Sequence, residues 1–255
     1  MVCIEVTVPI TMMSEKREVK SVEQFYDVQW SSREEDIFSL AFRDAVRYSY
    51  TFLGNIRGKK VLEVGSGSGE QAMFFARGGA DVTVIDISVE SLKSVQRLAV
   101  SEDVKIEGIV MNAQAMSFES GQFDFIYINS VMMHVDCAKV MSECSRVLRK
   151  GGKLIIVEPL KYGLFVQGYR LVSSYKKMYP RYMTLEMFTE GEGYFSDSKH
   201  REFYFFSCLL LPVFFLRVQW LYRLFYGVAR FDEVLFKVLP FLRRLAWVSM
   251  WVYEK

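Results

Sequence analysis

The sequence predicts an α/β fold on a mostly parallel sheet with helices on both faces. Three observations carry this. Short apolar runs recur between residues 60 and 157, the pattern of strands buried on both faces. Segments of helical period lie between them, and strands alternating with helices make βαβ units with right-handed crossovers. The chain end, 247–253 (WVSMWVY), alternates like one more strand.

Residues 1–20 mix Val, Thr, Pro and charges without a period and read as a loose arm. They lack a basic stretch followed by an apolar one, so no signal peptide is expected. Residues 21–30 (SVEQFYDVQW) suggest a short helix and turn. In 34–53, Ile37, Leu40, Ala41, Val46, Tyr50 and Leu53 recur near a helical period, and Gly54 and Gly58 close the helix. Residues 60–64 (KVLEV) are the first strand, entering Gly65. A helix at 70–77 is stopped by Gly78-Gly79. Strands follow at 81–86, 104–110 and 123–128, with a helix at 89–100. A helix at 136–150 would carry Arg146, Arg149 and Lys150 at its negative end, before Gly151-Gly152. Strand 153–157 (KLIIV) is ended by Pro159.

Beyond Pro159 the alternation stops. Residues 160–200 are expected as helices and loops over the sheet's carboxyl edge. The uncharged run 203–216 is shorter than the ~20 residues of a membrane span and contains Pro212. It is expected as a strand up to Pro212, then a helix over 214–226, with 217–246 as one or two amphipathic helices. Between 203 and 250, six basic residues face two acidic ones, a balance that suits a membrane interface. Packing on the core is the alternative.

Composition narrows the function. The 255 residues are 51% apolar and 24% charged, which excludes a disordered chain. A net charge of +2 offers no global basic field for nucleic acid. Cys3, Cys137, Cys144 and Cys208 form no C-x-x-C pair, and His134 and His200 are the two histidines, so no metal site is expected. Reduced thiols point to a cytosolic compartment.

The strongest motif is 61–69 (VLEVGSGSG), a strand entering Gly65-x-Gly67-x-Gly69. Glycines suit a tight turn whose backbone touches a ligand. Residues 67–72 fit the dinucleotide pattern formally, but Glu70 at the helix start and Glu63 at the strand end would repel a pyrophosphate. Both suit a ligand with a cationic amino group and no phosphate, such as S-adenosyl-L-methionine. Asp86 stands at the second strand's end, where a carboxylate can accept both ribose hydroxyls. Capping of the next helix is its other reading.

These stretches resemble the class I S-adenosylmethionine-dependent methyltransferases, in the group similar to ubiquinone and menaquinone biosynthesis enzymes. VLEVGSGSG (61–69), VTVIDIS (82–88), FDFIYINSVMMHV (123–135) and RVLRKGGKLIIVEP (146–159) stand in family order and spacing. EPL (158–160), FYFFSCLLLP (203–212) and FDEVLFKVLPFLRRLAW (231–247) resemble a less characterised bacterial branch. The resemblance implies a Rossmann-like, seven-stranded sheet, mostly parallel with an antiparallel last strand. It implies one domain overall: 1–58 as arm and lid helices, 59–160 as the cofactor-binding core, 161–246 as a substrate-side insertion and 247–255 as the closing strand.

The resemblance also implies roles. Glu63 with the Gly65, Ser66, Gly67 and Gly69 loop would hold the methionine end, Asp86 the ribose, and Ile87 the adenine face. Asn112 and Ala113 would meet the adenine; many members have Asp at 112, and an Asn oxygen can still accept from the amino group. Asn129 and Ser130 would lie beneath the sulfonium. Methyl transfer is an in-line displacement that mainly needs alignment and desolvation, with a general base only where the acceptor loses a proton. His134 is the candidate base or orienting group, or else a histidine bonded near a helix start. Asp136 reads as an N-cap. Glu158 would touch substrate or face water. Tyr26 and Trp30 would line the lid, or pack ordinarily. Arg170 and Arg181 would pair with an anionic group of the acceptor, or lie solvated.

The expected activity is methyl transfer to a small-molecule acceptor, hydrophobic or membrane-linked: a lipid, a quinone-like ring or a lipid-linked glycan. S-adenosyl-L-homocysteine would be the product. The expected place is the cytoplasm, with peripheral contact on the inner membrane face. The alternatives are a soluble methyltransferase of a secondary metabolite or sugar, a non-catalytic cofactor-binding subunit, and a dehydrogenase.

Overall fold

The computed structural model describes residues 37–164, 166–168, 182–210 and 219–255. The expected arm, the 21–30 helix with Tyr26 and Trp30, Arg170, Arg181 and Cys3 lie outside them. In chain order the elements are α1 (Ile37–Tyr50), β1 (Lys60–Val64), α2 (Glu70–Arg77), β2 (Asp81–Asp86), α3 (Val89–Ser101), β3 (Ile106–Val110), β4 (Phe123–Asn129), α4 (Cys137–Val147), β5 (Leu148–Pro159), α5 (Leu185–Gly191), β6 (Asp197–Phe203), α6 (Gln219–Val238) and β7 (Val248–Glu254).

The seven strands form one sheet in the order β3-β2-β1-β4-β5-β7-β6. The first five are parallel, and β7 runs antiparallel between β5 and β6. This is the Rossmann-like arrangement of class I methyltransferases. The chain order reverses between β1 and β4. In open α/β sheets, ligands bind outside the carboxyl ends at such a reversal.

Burial follows from the period of two. Val61, Tyr127, Ile155, Val157, Met250 and Val252 face one cluster, with Ala45, Phe75 and Val95 from α1 to α3. Leu62, Val64, Ile126, Ile128, Ile156 and Trp251 face the other, with Val140, Met141 and Phe188 from α4 and α5. Central strands covered on both sides therefore read as continuous apolar runs.

Three expectations change. The helix expected over 136–150 ends at Val147, because Leu148 already pairs with Phe123 and begins β5. Arg149 bonds Asp124 at 2.7 Å, and Arg146 donates to the Phe118 and Met116 carbonyls, so neither serves the helix end alone. The strand beyond Pro159 is Asp197–Phe203, not 203–212: a polar edge strand paired to β7. Third, the helix expected over 214–226 is α6, and Arg217 lies outside the described residues.

The run after β6 turns instead of extending. Asp232 of α6, fully buried, accepts the Phe205, Phe206 and Ser207 N–H groups at 2.9, 3.1 and 3.0 Å, and the Ser207 hydroxyl at 2.6 Å. One carboxylate thus meets the backbone donors that a ladder would otherwise have paired.

Candidate active site

The loop after β1 is tight. Gly65, Gly67 and Gly69 all have positive φ, at 81°, 45° and 80°, where a Cβ is strained. A Cβ on Gly65 would also stand 2.3 Å from the Val131 side chain, so the loop lies against the exit of β4.

Asp86 at the end of β2 braces this loop. Its Oδ2 accepts the Ser66 N–H at 2.7 Å and the Ser66 hydroxyl at 2.8 Å; its Oδ1 accepts the Ser88 N–H at 2.8 Å. Burial raises its pKa against these bonds. The Ile87 N–H also faces this carboxylate, so with about four acceptor positions a ligand hydroxyl would share or displace one of these bonds. The cap of α3 is Ser88, which accepts from the Ser91 N–H.

Glu63 is the carboxylate whose surroundings best fit a cationic ligand. It is buried with only 2% of its surface exposed, and its Oε2 has no hydrogen-bond partner. The Ala72 N–H faces it from the first turn of α2. Burial and the Asp86 charge hold its pKa well above the carboxylate range. A buried acid with an unfilled acceptor wants a cationic donor. Glu70 adds a third carboxylate at the start of α2. A pyrophosphate does not fit among these acids; an ammonium does.

Tyr50 and Tyr127 close the other side, and spacing alone did not single them out. Tyr50 stacks on Phe74 at 3.8 Å, and burial with the Glu63 charge raises its pKa. The Tyr127 hydroxyl bonds that of Ser49 at 3.1 Å.

Beyond β4 the chain is held in a strained form. Ser130 has φ 60°, costly for a residue with a Cβ and retained where neighbours impose it. Those neighbours come from β5. Val157 O accepts the Ser130 N–H at 3.0 Å, and Glu158 Oε1 accepts the Val131 and Met132 N–H groups at 2.6 and 2.7 Å. Glu158 therefore does not face water. It is fully buried, its Oε2 lacks a partner, and burial lifts its pKa to about 8. Asn129 accepts from the Ser130 hydroxyl at 3.1 Å.

The 3-10 turn Met132–His134 follows directly. His134 is half-buried, and burial lowers its pKa to about 4. Asp136 is the N-cap of α4, accepting the Ala138 and Lys139 N–H groups. Gln114 accepts the Asp136 N–H at 2.9 Å, and the Asn112 oxygen accepts from the Gln114 backbone at 2.9 Å and its side chain at 3.4 Å. That oxygen is thus occupied, and the adenine contact expected of it needs the Gln114 side chain to turn away. Ala113 is buried and Ile87 half-buried.

The carboxyl ends of β1, β2 and β4 thus bring together Glu63, the glycine loop, Asp86 and the Asn129–His134 turn. No group of three or more acidic, His or Cys side chains among the described residues could hold a metal.

Residues 62–156 match the profile of the family described as a methyltransferase domain. An uncharacterized protein of Mycobacterium tuberculosis is 29% identical over 141 residues, 55% of this chain and 52% of that protein. A ubiquinone biosynthesis O-methyltransferase of Bordetella avium is 33% identical over 101 residues, 39% of this chain and 42% of that protein. The chain spans about half the length, or less, of these curated relatives. The crystal structure of geranyl diphosphate C-methyltransferase from Streptomyces coelicolor A3(2) is similar over 97% of this chain and 99% of that one, with a TM-score of 0.64 and 12% identity. That likeness is one of fold.

Proposed function

We propose that residues 62–156, which match the methyltransferase-domain profile, work as a class I S-adenosylmethionine-dependent methyltransferase, and that the chain moves a methyl group from S-adenosyl-L-methionine to a small hydrophobic acceptor. The observation that carries the proposal is Glu63, a buried carboxylate with an unfilled acceptor beside a positive-φ glycine loop. When bound, the cofactor supplies an electrophilic methyl on a sulfonium and leaves as S-adenosyl-L-homocysteine.

The chain's residues then have separate tasks. Glu63 takes the amino group, while the loop backbone at Gly65, Ser66, Gly67 and Gly69 takes the carboxylate end. Asp86 accepts from the ribose hydroxyls, sharing its oxygens with the loop donors. Ile87, Asn112 and Ala113 border the adenine. Asn129 and Ser130 floor the methyl, held by Glu158 and Val157 from β5. Asp86→Ala is expected to weaken cofactor binding by about 2 kcal/mol in calorimetry. Unchanged affinity in a folded variant would remove the ribose role.

His134 is the group nearest in chain to this floor that can accept a proton. Held near pKa 4 by burial, it is neutral across the physiological range, a weak base toward a hydroxyl proton. With cofactor saturating, turnover is expected to be flat around neutrality and to fall as pH drops through about 4. His134→Ala should lower kcat about 10- to 100-fold with cofactor affinity intact. A loss under about threefold with a true acceptor would make His134 structural.

We take the acceptor to be membrane-linked (a lipid, a quinone-like ring or a lipid-linked glycan) and the protein to act in the cytoplasm on the membrane face. A similar protein named for ubiquinone biosynthesis supports this reading. Incubation with methyl-labelled cofactor and cell extracts tests it: label should enter the lipid-soluble fraction. Label confined to water-soluble metabolites would make the acceptor a soluble one.

A further inference from the structure

α6 carries two apolar faces, and only one is used. Phe225, Asp232 and Phe236 are buried against the body of the protein. On the far side, Trp220, Leu224, Phe231, Val234 and Val238 fall within an arc of about 80° at 3.6 residues per turn. They are exposed by 64, 46, 55, 57 and 70%. The following 3-10 segment adds Phe241, 60% exposed. Such a continuous apolar stripe on an exposed helix marks a contact surface.

Charge identifies the partner. Arg223, Arg230 and Lys237 recur at every seventh position and form one row along a flank of the stripe. The two carboxylates of α6 are already engaged elsewhere. Asp232 is buried under the 205–207 backbone, and Glu233 is paired with Arg201. The row therefore asks for an external anion along the whole helix. A second copy of the chain would bring the same unanswered row. No helix among the described residues is long and apolar enough to cross a membrane, so the geometry is that of a helix lying in the interface plane.

We propose that α6 docks the protein onto an anionic lipid bilayer, with Trp220, Phe231 and Val238 entering the acyl boundary and Arg223, Arg230 and Lys237 contacting headgroup phosphates. For its purpose this rests on the membrane-linked acceptor; the docking itself is independent of methyl transfer.

The test is flotation of the full chain with vesicles of phosphatidylcholine, alone or mixed with phosphatidylglycerol. Binding is expected to the mixed vesicles and to be released by high salt, since the charge attraction is screened. Arg223→Glu, Arg230→Glu and Lys237→Glu together should lower the partition on the order of 100-fold. Phe231→Ser with Val234→Ser should lower it at low salt, where the charged row is intact and unscreened. Both variants should keep the wild-type unfolding midpoint and cofactor affinity, because these side chains are exposed. No flotation at low salt overturns the proposal. So does equal binding to uncharged vesicles, or a stable dimer in light scattering that the serine pair abolishes while flotation is absent. Cofactor affinity from the same samples reports separately on the methyltransferase reading.

Discussion

Glu63→Gln is expected to weaken S-adenosyl-L-methionine binding on the order of 10²–10³-fold while raising the unfolding midpoint of the ligand-free protein. The two effects have opposite sign because one carboxylate serves two states. Without ligand, Glu63 is buried and its Oε2 has no partner, so ionising it costs free energy. An ammonium turns that cost into a buried, charge-assisted pair. The amide removes the cost and the pair together.

The pH dependence follows from the raised pKa of Glu63. A carboxyl whose folded pKa lies above its unfolded value loses stability as pH rises from the unfolded value to the folded one. The gain from glutamine should therefore grow with pH across that window. Ammonium binding needs the carboxylate, so below the folded pKa it releases a proton and tightens as pH rises. Calorimetry in buffers of differing ionisation enthalpy measures that proton. A glutamine variant with wild-type affinity would remove Glu63 from the cofactor site.

Asp232→Ala should be strongly destabilising although it lies outside the site, at roughly 3–5 kcal/mol. It strips the acceptor from three buried backbone N–H groups and the Ser207 hydroxyl at once. It also frees the turn that seats Phe205 against Phe236. Denaturant unfolding measures the loss. Asp232→Asn keeps one acceptor oxygen but adds an N–H₂ among donors, and should fall between the two. A cost under about 1 kcal/mol would mean that the turn finds other acceptors, water included.

Much of this was legible locally. β1 at Lys60–Val64, α2 at Glu70–Arg77 and β2 at Asp81–Asp86 occupy the expected residues. Parallel strands buried on both faces are apolar throughout, and the glycines between them record positive φ that other residues resist. Such signals need only the next few residues. Asp136 was legible for the same reason, since an N-cap acts two and three residues ahead.

Glu158 was not legible. Its donors at Val131 and Met132 belong to the neighbouring strand's exit, 27 and 26 residues away. Tyr50 was visible as a helix position, but its place beside Glu63 arises when α1 packs on the sheet and Tyr50 stacks on Phe74 of α2. β6 misled for another reason. Its residues DSKHREF are polar because it is an edge strand, held by the β7 backbone rather than by burial.

By itself the sequence determined the order of strands and helices through residue 157, the glycine loop, and the acids that favour a cationic ligand over a pyrophosphate. These are properties of short segments: side-chain period, backbone freedom and formal charge. Tertiary structure alone decided which acids are buried without partners, that Glu158 holds the β4 exit, and which face of α6 is left uncovered. Those depend on dielectric, on donors brought from distant strands and on what packs against what. None exists until the sheet has closed around them.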